Sequence, residues 1–311
     1  MRSESPSTSR SFQPDPGDGV RQPCTAFNLD GPTRKLDGRV NAYRADIADV
    51  ALAGTLFAPH YAAPLIQSAA ATVMMRAAPV TSAEAVSQLL PGENFAVLDM
   101  VGGWAWGYSE HDHYVGYVES SALTLPTMPT HRITAREAIL FAGPSIKSPA
   151  IGTMPFGARV TGVDDGAFVR IAAGYIHKRH LAALDNTPDS DAVSVAELFL
   201  GAPYLWGGRG DGGIDCSGLV QMALAATGIR APRDTDQQRA ETGIALPDDA
   251  HLRRGDIIHF PGHVGLMADE TALIHANAHW MSVVIEPLAD VVARLAPHHD
   301  RPILSRRRLS A

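Results

Sequence analysis

The chain of 311 residues has only two cysteines, Cys24 and Cys216, which excludes a disulfide-stapled extracellular scaffold. Cys24 sits in a Pro/Gly/Ser-rich stretch where packing is not expected, so Cys216 stands alone as a thiol with chemical potential. No run of about twenty apolar residues occurs, so no membrane-spanning helix is expected. Met1 to Gly19 carries Ser, Pro, Asp, Arg and Gly without the apolar core of a secretory signal, which makes the cytoplasm the expected location and leaves export by another route open. Charge is sparse: 19% of residues are charged and the formal net charge is -7, so no basic face exists to neutralise phosphates, and nucleic acid is not an expected partner. The one basic run, Arg306-Arg307-Arg308, is expected to be a solvated C-terminal tail.

What the sequence does contain is Gly213-Ile214-Asp215-Cys216-Ser217-Gly218, with histidines at 263 and 275. A cysteine is a useful nucleophile near neutral pH when its environment stabilises the thiolate, and the start of a helix beside a histidine provides that. Asp215 is a good N-cap, and Cys216 to Thr227 reads as a helix with Leu219, Val220, Ala223, Leu224 and Ala226 on its apolar side. Downstream, Asp256 to Phe260, His263 to Ala268 and Ala272 to Ala276 read as short strands, with Asp269-Glu270-Thr271 as a turn. A turn centred near residue 269 sets His263 opposite His275 on one face, with Val264 and Ile274 on the other. The roles expected by position are Cys216 as nucleophile, His263 as the base that holds it as thiolate, and His275 as the group that orients His263.

These residues resemble the NlpC/p60 family of papain-like cysteine peptidases. The resemblance includes Pro203-Tyr204-Leu205-Trp206-Gly207-Gly208, Asp215-Cys216-Ser217-Gly218, Arg254-Gly255-Asp256, His263-Val264-Gly265 and His275, in the family's order from about Val193 to Ile285. It implies an α+β catalytic domain over residues 192–311, a nucleophile helix packed on an antiparallel sheet, with no cofactor and no metal. Before it, two similar blocks of about 60 residues, 68–127 and 130–186, each read as short strands with turn residues between them. They resemble bacterial SH3-like barrels, small all-β folds that commonly precede this peptidase domain. Residues 1–35 are expected to be disordered, residues 36–67 to be an Ala-rich, partly helical lead-in of no assignable role, and the polar join from Asp185 to Asp191 to be a domain boundary.

Members with this architecture resemble γ-D-glutamyl-L-diamino-acid endopeptidases, which cut short murein stem peptides bearing a free N-terminal L-Ala. That resemblance implies a small peptide as the partner and a role in recycling wall fragments. It also implies substrate-binding roles for Asp215 and Ser217 beside the nucleophile, for Thr235, and for Tyr204 near the oxyanion. From the first block it implies an acidic residue and a tyrosine holding the alanine ammonium: Glu84 and Tyr114, with Glu93 as the competing acid. Asp215 serves equally well as a helix cap, and Trp206 is expected to be a core aromatic. The alternatives are an exported wall hydrolase, a papain-like amidase or acyltransferase, a non-catalytic wall-binding protein, and a zinc hydrolase. The last would use His263, His275 and His279, which lies two strand steps beyond His275, but no His-Glu-x-x-His helix motif accompanies them and Cys216 would have no task.

Overall fold

The structure, a computed structural model, describes residues 36–186 and 191–309. The expectations for residues 1–35, Cys24 included, and for residues 187–190 of the join lie outside the described residues.

In the first block alternation builds the sheet. Along Asn94–Val101, Phe95 and Val97 turn toward one core with Met75, Leu89, Ala105 and Val118, while Leu98 turns the other way and meets Trp106. The result is a seven-stranded antiparallel sheet in the order Ala85–Leu89, Val73–Arg76, Val115–Glu119, Trp104–Ser109, Asn94–Val101, Leu65–Ala69, Leu123–Thr124. The barrel thus begins near Leu65. The second block folds around its own core of Ile133, Leu140, Val169 and Ile176, with a five-stranded and a three-stranded sheet.

The lead-in has a task that composition did not reveal. It forms two short parallel strands, Ile47–Asp49 and His60–Ala62, and its only helical element is the 3-10 turn Val50–Leu52. Ala42, Ile47 and Ala62 cover the outer apolar face around Leu98 and Trp106, and the Arg44 guanidinium lies 4.4 Å from the Trp106 ring centroid. Covering that face requires extended chain more than it requires a helix.

The C-terminal domain carries four helices among the described residues: α1 (Ala192–Glu197), α2 (Cys216–Ala226), α3 (Thr235–Glu241) and α4 (Leu288–Leu295). Its six-stranded antiparallel sheet runs Ile244–Ala245, Ser305–Arg308, Ile257–Phe260, His263–Met267, Ala272–Asn277, Ser282–Pro287. Ile257, Val264, Leu266 and Ile274 pack on the side of α1 and α2, whereas Ile258, Met267 and Leu273 pack with Val291 of α4. Two expectations are corrected here. Leu266 pairs with Ile274 and Met267 with Leu273, so the hairpin register is shifted by two residues from the expected one. A shift of two leaves every side chain on its face, because the strand period is two, and His263 and His275 become diagonal neighbours. The arginine run is no tail: Ser305–Arg308 is an internal strand, with Arg308 paired to buried Asp256 at 2.7 Å and Arg307 donating to the Thr242 and Gly243 carbonyls.

Candidate active site

Asp215 caps α2 by accepting from the Gly218 N–H at 2.7 Å, which sets Cys216 as the first residue of the helix. Gly218 is required there, since a Cβ would come within 2.3 Å of the Gly208 carbonyl oxygen. Asp215 is otherwise saturated. Its Oδ1 accepts from Arg233 at 3.0 Å and from the Ser217 hydroxyl at 3.3 Å, while its Oδ2 accepts from the Gly207 N–H at 2.9 Å and again from Arg233 at 2.5 Å. Of its two expected roles the cap is seen directly, and the carboxylate, paired with Arg233, also stands on the wall of the cleft beside Cys216. Arg233, which is 2% exposed, also donates to Ser217 and to Ser87 of the first block. It therefore fixes the barrel to the head of the nucleophile helix.

Cys216 is buried, with Sγ 3.9 Å from the Thr235 hydroxyl and the Val264 N–H directed at it. His263 Nε2 lies 2.7 Å from His275 Nδ1, and His275 Nε2 lies 2.8 Å from Glu286 Oε1. The direction of this chain follows from its far end. Burial works to raise the Glu286 carboxyl, but Arg294, Trp280 and His275 outweigh it and hold it anionic, below the usual glutamate range. A carboxylate only accepts, so His275 Nε2 carries the proton, its Nδ1 accepts from His263 Nε2–H, and His263 Nδ1 is left as the basic nitrogen. Asn277 Nδ2, 3.1 Å from Glu286 Oε1, donates to the same oxygen. Glu286, Asn277 and Arg294 were not singled out from the sequence; a carboxylate two strand steps from a histidine has no signature until the strands pair.

Burial pushes the Cys216 thiol up to about 11, Asp215 adding to the effect while Thr235, the Val264 N–H and Arg233 oppose it. Burial, then His275 and Arg294, push His263 down to about 3, with Glu286 opposing. Both directions favour a resting thiol and a neutral imidazole over a standing thiolate. The Val264 N–H at Sγ brings the strand that begins at His263 up to the thiol.

Beside Cys216 opens a cleft of about 410 Å³, walled by Glu84, Val86 and Tyr114 of the first block and by Trp206, Ser217, Asp234 and Thr235 of the catalytic domain. Glu84 Oε1 accepts from the Trp206 indole at 3.0 Å, and Asp234 Oδ2 accepts from the Tyr114 hydroxyl at 2.9 Å. Burial, then Asp234, raises Tyr114 above the ordinary tyrosine range and keeps it a donor. Tyr204 is half-buried and raised likewise, by burial first and then by Cys216 and Asp215. Arg39 of the lead-in reaches Asp234 at 2.8 Å and also bonds Asp236.

Three expectations change at this cleft. Glu93 is not on it: Glu93 is buried in a pair with Arg209 at 2.7 Å, where it ties barrel to catalytic domain. Trp206 is 56% exposed on the cleft wall and not in the core. His279 lies in the exposed turn beyond Asn277, its ring against Trp280, so it does not share the face of His275. Among the described residues no group of three or more His, Cys, Asp or Glu is arranged to hold a metal.

Comparison with known proteins agrees with the fold. Residues 201–294 match the NlpC/P60 family, and residues 75–123 match the bacterial dipeptidyl-peptidase Sh3 domain; the second all-β block is not covered by either match. A dipeptidyl-peptidase 6 of Lysinibacillus sphaericus is 28% identical over 229 residues, 65% of this chain and 83% of that protein. A γ-D-glutamyl-L-lysine dipeptidyl-peptidase of Bacillus cereus is 27% identical over 236 residues, 65% of this chain and 70% of that protein. Among solved structures, an NlpC/P60 family protein from Bacillus cereus superposes with a TM-score of 0.67 at 21% identity, over 78% of this chain and 99% of that one, a likeness of fold.

Proposed function

We propose that this chain, a cysteine peptidase with an NlpC/P60 domain behind an SH3-like region, hydrolyses the γ-D-glutamyl-diamino-acid bond of short murein stem peptides with a free N-terminal L-Ala. The observation that carries this reading is the wall of the cleft: Glu84 and Asp234 stand in it with Tyr114 and Trp206, on the same cleft as Cys216. An ammonium entering there meets Glu84, which holds the Trp206 indole, and half-buried Asp234, which Arg39 already pairs, whereas an acetylated amine brings Glu84 no cation. The Bacillus cereus relative's name carries the γ-D-glutamyl-L-lysine bond, which agrees with this substrate class.

On this reading the reaction runs in two steps. Cys216 Sγ attacks the carbonyl carbon of the γ-glutamyl bond as its proton passes to His263 Nδ1, giving a tetrahedral oxyanion. The positive end of α2 and the Tyr204 hydroxyl, kept protonated by its burial, are the donors for that charge. His263 then protonates the leaving amine, the thioester forms, and a water activated by the same imidazole releases the L-Ala-γ-D-Glu acid. His275 and Glu286 keep His263 in the tautomer that both steps use. Thr235 and Ser217 line the passage to the thiol. A cytoplasmic recycling role belongs to this proposal, and fractionation of the source cells tests it.

Defined peptides test the substrate. Purified protein should release L-Ala-γ-D-Glu from L-Ala-γ-D-Glu-diamino-acid peptides and leave sugar-linked sacculi largely intact. Efficient lysis of sacculi would overturn the reading in favour of a wall hydrolase.

A further inference from the structure

A second cleft, of about 910 Å³, lies where the first block, the second block and the catalytic domain meet, on the side of α2 that carries Met222 and Ala225. Its wall holds four guanidiniums, Arg132, Arg159, Arg209 and Arg230, against two carboxylates, Glu93 and Glu110. Arg209 and Glu93 satisfy each other, and Glu110 accepts from Asn94. Among the described residues neither Arg132 nor Arg159 meets a carboxylate; Arg132 bonds only the Asn186 carbonyl, at 3.1 Å, and its buried Nε has no partner.

The two arginines are also direct cross-strand partners, Arg132 of His131–Ile133 opposite Arg159 of Arg159–Val160. Like charges placed directly opposite on a ladder destabilise it, and a sequence selected for stability alone would not set them there. Burial, and then Arg159, push the Arg132 guanidinium below the ordinary arginine range, so the repulsion is felt. Next to this pair, which no carboxylate among the described residues meets, the wall turns apolar: Phe156 and Ile229 line it, and Leu184 and Leu198 leave 40% and 43% of their surface exposed.

We propose that this cleft is a binding site for a small dianion with an apolar body, its charged group held between Arg132 and Arg159 and its apolar part against Phe156, Leu184 and Leu198. Two guanidinium forks match the oxygens of a phosphate monoester or of a dicarboxylate, and either source has the charge that cancels the cross-strand repulsion. A ligand there touches the second block and, at Leu198, the end of α1, so occupancy braces that block against the catalytic domain.

The test uses the full chain with phenyl phosphate and phenylsuccinate as probes, inorganic phosphate as the dianion without a body, and phenol as the body without charge. Calorimetric titration and thermal melting should show saturable binding and a raised Tm for at least one aromatic dianion, weaker binding of inorganic phosphate, and none of phenol. Which aromatic dianion binds distinguishes the two sources. Arg159→Gln and Arg132→Gln should each weaken that binding about tenfold or more, the worth of one charge-assisted hydrogen bond. Arg159→Gln should in addition raise the Tm of the ligand-free protein, because it removes the repulsion. Absence of saturable binding of both aromatic dianions up to about 10 mM, or binding indifferent to both substitutions, overturns the proposal. A lowered ligand-free Tm in Arg159→Gln overturns it as well, since the guanidinium would then be structural.

Discussion

Replacing Glu286 by glutamine keeps the size of the side chain and removes the charge that sets the direction of the imidazole chain. Glu286 Oε1 accepts from His275 at 2.8 Å, from Asn277 at 3.1 Å and from Arg294 at 2.6 Å. An amide can turn its NH₂ toward His275, which would move the His275 proton to Nδ1 and force His263 to carry its own proton on the nitrogen that must act as base. The cost is at least the difference between a charge-assisted and a neutral hydrogen bond, about 1–2 kcal/mol, or roughly 5–30-fold in kcat. Glu286→Ala leaves the buried His275 N–H without an acceptor and should cost roughly a hundredfold. Glu286 does not line the substrate cleft, so KM should stay within about twofold of the parent. Steady-state kinetics on a defined tripeptide reads both parameters, and nitrogen NMR of the histidines reads the tautomer. The reasoning is refuted if Glu286→Gln retains more than half of kcat, or if the loss falls in KM.

Cys216→Ala and His263→Ala should each lower turnover by about three orders of magnitude or more, since nucleophile and base act as a unit, and EDTA should leave the parent enzyme active; turnover in Cys216→Ala would contradict this. His275→Ala should be milder, with part of the rate restored in His275→Asn or His275→Gln, and a His275→Asn variant as inactive as Cys216→Ala would remove its orienting role. With the thiol raised to about 11 and His263 lowered to about 3, alkylation of Cys216 by iodoacetamide in the free enzyme should accelerate about tenfold per pH unit from pH 6 to 9, whereas a flat rate over that range would indicate a standing thiolate. Burial would raise Glu93, but Arg209 and His111 hold it down at about 2, against an ordinary 4.5. Its contribution to stability is therefore complete above about pH 4.5 and lost as pH falls through 2. Denaturant midpoints of Glu93→Gln should be lower than the parent's at pH 7 and converge on it near pH 2, and a constant gap would contradict the pairing.

Local patterns carried much of the fold and the centre of the site. Asp215 and Cys216 read as cap and first helical residue because capping is decided within four residues. His263 and His275 read as sharing a face because strand parity survives a register error of two. What escaped depends on chain segments far apart. Whether Trp206 is buried turns on how the first block docks, and it docks through Glu84, 122 residues away. Arg233 was passed over in Pro232-Arg233-Asp234-Thr235 because its partners, Ser87 and Asp215, are unrelated to it in sequence. An arginine run looks solvated until Asp256 and the carbonyls at Thr242 and Gly243 are placed beside it. The lead-in looked helical by its alanines, yet an uncovered apolar face decided its conformation.

The central claim is that a cleft walled jointly by the SH3-like region and the peptidase domain selects a free amine next to the thiol. It is tested most directly by kcat/KM on one L-Ala-γ-D-Glu-diamino-acid peptide with its alanine free or acetylated, in the parent enzyme, in Glu84→Gln and in Asp234→Asn. Asp234 keeps Arg39 when the amine is blocked and Glu84 is left with the Trp206 indole alone, so the free amine should be preferred by about 1–3 kcal/mol, roughly 5–150-fold, narrowed in each variant and more by Glu84→Gln. Equal rates on the two peptides in the parent enzyme, or a preference that both variants keep in full, would contradict the account.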